Sequence, residues 1–225
     1  MASVSELVRK TEMWFDQQID CIGNYPFETH RIMILLSIVD AFAQENGGNV
    51  RGNQKKFANF IKEYSKKHKM ILEKVCPVTL YYSNFISNDK ETLNLYVPEI
   101  YYADSEEACT EAYRLLAKLS DREKNDACLK HSYAGLIYQM RNKLSHEFAM
   151  LTMPINFQNE TNNPIPNMAC GGENGYWRLH IPEQFVKNVA IDAVKHYLSE
   201  CLTQDRAPFG PRNAKDQNSW YYKIS

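Results

Sequence analysis

The residues that most invite chemistry lie in YQMRNKLSHEF (138–148), where an arginine, an asparagine and a histidine fall within six residues. Arg141 is a permanent cation whose planar fork of donors fits phosphate oxygens in pairs. His146 is the side chain type best suited to give or take a proton near neutral pH. Asn142 can hold a base edge or orient the arginine beside it. Together these groups suit cleavage of an RNA phosphodiester. In that reaction the 2′-hydroxyl attacks its own phosphate, and the protein supplies proton transfer and charge stabilisation. The chemistry needs no metal, and the chain carries no HExxH, no CxxC and no GxxxxGK[ST] phosphate loop. A plainer account also fits: the polar side of an ordinary helix, with Arg141 paired to Glu147 or Asp40 and His146 at the surface.

Spacing adds to residue type. At about 100° per residue, Arg141, Asn142, Ser145, His146 and Tyr138 gather on one arc about 140° wide. Tyr133, Ile137, Met140, Leu144, Phe148 and Leu151 fall between about 260° and 340° of the same wheel. The pattern therefore predicts a helix with one core stripe and one polar arc that carries Arg141 and His146 together.

The elements that must hold this helix are mostly helical as well. An amphipathic run from Ser5 through Leu7, Val8, Met13, Trp14, Ile19 and Ile22 stops at Gly23-Asn24. A second run begins near Pro26, is apolar on most faces, and ends at Asn46-Gly47-Gly48-Asn49, which places it at the centre of the core. Ser37 and Asp40 are the only polar residues between Ile32 and Phe42. Buried polar groups need partners, so Asp40 either pairs with Arg141 or reaches solvent near the helix end. Further helices are expected at about 53–68, 105–120, 126–150 and 182–203, with 88–104 a long connecting segment. MPINFQNE (153–160) and GYWRLHIP (175–182) read as short β-runs flanking a Pro/Asn/Gly-rich loop at 161–175, a small hairpin before the last helix. The fold class is all-α with that β insertion. One domain spans 1–204, with hairpin and loop at about 152–181. The tail 205–225, which ends in a Trp-Tyr-Tyr cluster, docks on the body or on a partner.

Composition excludes several classes. The 225 residues, 44% hydrophobic and 24% charged, are those of a soluble globular protein. The longest apolar run, IMILLSIV (32–39), is far too short for a bilayer. Six cysteines without metal-ligand spacing, behind an N-terminus lacking a signal-peptide core, fit reduced thiols in the cytoplasm better than disulfides. Net charge is −1, so any attraction to nucleic acid is local. Residues 51–74 hold eight Lys/Arg against two Glu, while 88–126 hold ten acids against five bases. The basic stretch is either a solvated helix face or a phosphate-attracting surface.

Arg141-Asn142-Lys143-Leu144-Ser145-His146 resembles the signature of the HEPN superfamily, an arginine and a polar residue followed by a histidine. An all-helical layout from about 26 to 203 is similar too, as is a polar residue such as Asp40 or Ser37 on an earlier core helix. The resemblance implies a HEPN-like helical bundle and a metal-independent endoribonuclease that needs no cofactor. Such proteins work in toxin–antitoxin or antiphage defence, with a neutralising antitoxin or defence-system partner, and dimerise so that two motifs meet in one cleft. It assigns proton transfer to His146, charge stabilisation to Arg141 and positioning to Asn142, supported by Asp40, Ser37, Ser145 and Tyr138. Lys55, Lys56, Lys62 and Lys66 would guide the RNA. The alternative within the same resemblance is a non-catalytic HEPN-type module that binds a nucleotide, RNA or protein. The loop at 161–175 and the hairpin depart from the minimal bundle.

Overall fold

The computed structural model describes residues 3–83, 93–95, 100–147, 155–156, 164–171 and 176–209. Their elements are α1 (Val4–Gly23), α2 (Glu28–Gly47), α3 (Asn53–Tyr64), a 3-10 turn (Lys66–His68), α4 (Lys69–Glu73), α5 (Pro77–Tyr81), β1 (Ile100–Tyr102), α6 (Glu106–Leu116), α7 (Asp121–His131), α8 (Tyr133–Glu147), β2 (Ile155–Asn156), β3 (Asn167–Gly171), β4 (Tyr176–His180) and α9 (Glu183–Thr203). The chain is mostly helical, with one small sheet. No helix among the described residues is long and apolar enough to cross a membrane.

Helix α2 is the central element. It packs against α1, α3, α8 and α9, and buries Ile32, Leu35, Leu36, Val39, Phe42 and Ala43. This follows from its sequence, since a helix apolar on most faces must be covered on most faces. Phe42 is the hub of an aromatic cluster, with ring centroids 6.2 Å from Phe15, 5.8 Å from Tyr197 and 4.7 Å from Phe209. Phe209 lies in the tail, so the described start of that tail docks on the body. Arg206 reinforces the return by donating to the Tyr197 hydroxyl (3.1 Å), and that hydroxyl donates to the Pro208 carbonyl. Residues beyond 209, including the terminal Trp-Tyr-Tyr, lie outside the described residues.

Two expectations about the helices are corrected. The helix expected over 126–150 is two helices, α7 and α8, broken at Ser132, whose backbone is extended (φ −65°, ψ 152°). The Ser132 hydroxyl caps α8 by accepting from the Gly135 amide at 3.3 Å. The break is pinned from outside, because the Tyr133 amide donates to the Lys74 carbonyl (3.0 Å) and the Cys76 amide to the His131 carbonyl (2.9 Å). The 53–68 helix likewise ends at Tyr64 before the 3-10 turn and α4. Phe148 and Leu151, assigned to the core stripe, lie outside the described residues.

The sheet also differs from a simple hairpin. Its order is β1-β3-β4-β2. The antiparallel partner of β4 is Asn167–Gly171, within the segment expected as loop, with Met168 facing Leu179. Ile155–Asn156 adds to β4 in parallel, and Ile100–Tyr102, from the expected connector, pairs antiparallel with β3. Asn-Met-Ala-Cys-Gly has little β propensity of its own; Met168, fully buried, is held there by its tertiary neighbours.

Candidate functional site

Packing of α8 on α2 sets the site. Asp40, buried in the middle of α2, meets Arg141 across the helix pair, with Oδ2 at 2.8 Å from Nη2. The guanidinium side chain keeps 22% of its surface exposed, whereas Asp40 keeps 10%. Arg141 Nη1 donates to the side-chain oxygen of Asn142 at 3.0 Å. That bond fixes the Asn142 amide with its –NH2 end directed away from the arginine, because only the oxygen can accept. On the other side, Gln44 Nε2 donates to Asp40 Oδ1 at 3.0 Å. The result is a continuous polar chain, Gln44 to Asp40 to Arg141 to Asn142, between two core helices.

The other expected site residues distribute unevenly. Ser37 is exposed and donates to the Met33 carbonyl of its own helix (2.8 Å), so it is a surface hydroxyl and not a buried partner of Arg141. Tyr138, placed by the wheel on the polar arc, is buried, with its ring 5.5 Å from that of Phe57 on α3. The wheel allowed α8 one covered stripe, but α2, α3, α4 and α7 all pack on it. Residues 133–138 are accordingly buried all round. Ser145 lies one turn beyond Arg141, and its Oγ is enclosed without a hydrogen-bond partner among the described residues. His146 falls in the last turn of α8; its side chain, and that of Glu147, lie outside the described part of the structure.

The four lysines do not form one uniform surface. Lys55 is exposed on α3, and Lys66 is exposed in the 3-10 turn that follows it. Lys56 is half-buried, its methylenes lying against Gly47 of α2. Burial pushes the Lys62 ammonium below its ordinary pKa, with Glu73 opposing the shift. Lys55 and Lys66 are therefore the better candidates for contact with an external anion.

Sequence reasoning missed Gln44. Its signal was present, since it stands four residues after Asp40 and shares its helix face. Next to the Asp40-Arg141 pair that spacing marks a third member of the network.

No family model, no curated protein and no solved structure matches this chain.

Proposed function

We propose that this protein is a metal-independent endoribonuclease of the HEPN kind, with Arg141 and His146 as its catalytic pair. The observation that carries the reading is the immobilised guanidinium. Arg141 is held through Asp40 and Asn142 while a fifth of its side chain stays open to solvent. A cation fixed in advance at the place where charge develops contributes more than one that must reorganise. In the reaction, the 2′-oxygen attacks the adjacent phosphorus, and the 5′-oxygen leaves and takes a proton. Arg141 stabilises the charge on the non-bridging oxygens, His146 moves the proton, and Asn142 offers its –NH2 to a phosphate oxygen or base edge. Lys55 and Lys66 supply attraction for the RNA backbone. The spacing Arg141-Asn142-xxx-His146 supports the family, as does the mostly helical fold. A homodimer with both motifs in one cleft, and a toxin–antitoxin or antiphage role with a matching partner, follow as parts of the same proposal.

The test is cleavage of single-stranded RNA in EDTA by wild type, Arg141→Ala and His146→Ala. Loss of several orders of magnitude in both variants is expected for groups that act mainly in the transition state. Equal activity in all three, or activity only with added metal, overturns the assignment. RNA binding that survives His146→Ala, with no cleavage by wild type, would instead mark a non-catalytic binding module.

A further inference from the structure

Away from Arg141, a second carboxylate collects polar contacts from two elements. Asp192 of α9 keeps only 8% of its side chain exposed. Its Oδ2 accepts from the Ser65 hydroxyl at 3.2 Å and from the Lys67 amide at 3.0 Å, which ties the 3-10 turn to α9. Its Oδ1 lies 3.2 Å from Nδ1 of His196, one turn further along the helix. The same nitrogen lies 2.9 Å from the Asp192 carbonyl oxygen. Both oxygens only accept, so Nδ1 carries the ring proton and Nε2 of the neutral ring carries the lone pair. Nε2 is not enclosed and has no hydrogen-bond partner among the described residues, in a side chain 35% exposed.

A surface imidazole fixed in one tautomer can serve as a metal ligand, a general base or a nucleophile. Among the described residues no group of three metal-ligating side chains occurs. The neighbouring hydroxyl, Ser65, is buried and spends its proton on Asp192, so a base at His196 has no side-chain nucleophile to activate. Attack by Nε2 itself is the chemistry that remains. Cations flank it: Lys67 is exposed and bound through its amide to the same carboxylate, and Lys195 precedes His196, sharing its charge with Asp16 at 3.2 Å.

We propose that His196 is a phosphoacceptor that takes a phosphoryl group on Nε2 from a donor of the phosphoramidate class. The Nε2 lone pair forms the new N–P bond while the donor's P–N bond breaks, and the departing amine keeps that electron pair. One N–P bond is exchanged for another, so the transfer needs no further energy source. The Nδ1 proton stays in place, and the ring becomes cationic beside Asp192, whose carboxylate offsets the charge. Lys67 and Lys195 attract the anionic donor as point charges. The proposal uses none of the groups assigned to RNA cleavage.

The experiment treats the full chain with potassium phosphoramidate at neutral pH. Mass spectrometry maps the acid-labile phosphoryl groups, and phosphorus NMR reads which ring nitrogen is bonded. His30 is the internal reference, because it is more exposed and packs on Phe27 and not on a carboxylate. His196 should be labelled at Nε2, faster than His30 by about tenfold or more, the scale of a carboxylate's effect on the histidine it orients. Asp192→Asn, which keeps an acceptor for the Lys67 amide but no charge, should bring His196 down to the rate of His30. Equal labelling of the two histidines in wild type, attachment at Nδ1, or an unchanged His196 rate in Asp192→Asn overturns the proposal. If Asp192→Asn does not fold, the wild-type comparison of His196 with His30 decides the matter alone.

Discussion

Gly135 sits three residues into α8, where that helix leaves the break at Ser132 and passes the end of α7. A Cβ at this position would overlap the Leu129 carbonyl oxygen and lie 2.9 Å from the Lys130 carbonyl oxygen. Both obstacles are backbone, so no side-chain rotation relieves them. Gly135→Ala must therefore slide α8 away from α7. That movement strains the Gly135–Ser132 cap at 3.3 Å and the Tyr133–Lys74 bond at 3.0 Å. Alanine returns about 1 kcal/mol of helix propensity. Against it stand overpacking of about 1–3 kcal/mol and two weakened hydrogen bonds at about 1 kcal/mol each. The net is a loss of about 3 kcal/mol, or roughly 10 °C in Tm for a chain this size. Gly23, at the end of α1, is the control, because a Cβ there meets nothing within 4 Å. Gly23→Ala should be neutral or slightly stabilising. Thermal and urea unfolding of the two variants decides the matter. A Gly135→Ala protein as stable as wild type would refute the close approach, and with it the rigid knee that sets α8 against α2. Because Arg141 lies six residues further along α8, the same variant should also disturb the Asp40–Arg141 contact.

Burial, with Lys130 adding to it, pushes His131 down to a pKa of about 4. The unfolded chain then binds the proton more readily, so stability is intact above about pH 6.5 and is lost as pH falls through the window to about 4. The loss reaches about 3 kcal/mol below that window, and urea midpoints measured against pH should flatten there in His131→Asn; parallel profiles would remove His131 as the cause. Phe209→Ala should cost about 1–3 kcal/mol, because the ring stacks on Phe42 at 4.7 Å while remaining partly exposed. An unaltered urea midpoint in that variant would mean that the tail does not hold the aromatic cluster.

Much of the helical layout could be read from the chain because it depends on local pattern. The apolar faces of α1, α2 and α9 and the stop at Asn46–Asn49 are short-range features, and the elements follow them. Where reading failed, a long-range contact had overruled a local one. Ser132 interrupts a periodic run because its neighbours bond to the 74–76 segment. Asn167–Gly171 becomes a strand because β1 and β4 flank it. A wheel sees one helix at a time, so it gave Tyr138 to the polar arc without knowledge of Phe57 across the interface.

The site divides in the same way. Sequence by itself determined that Arg141, Asn142 and His146 share a helix at a spacing suited to phosphate chemistry, and that Asp40 interrupts an apolar run and must either pair with Arg141 or reach solvent. Only the tertiary structure decided that the partner is Arg141, that Ser37 turns outward, and that Gln44 occupies the remaining oxygen of Asp40. The physical reason is that periodicity fixes which face a residue takes on its own helix. Which oxygen meets which nitrogen across two helices depends on their separation and rotation, and those are set by the packing of the whole core.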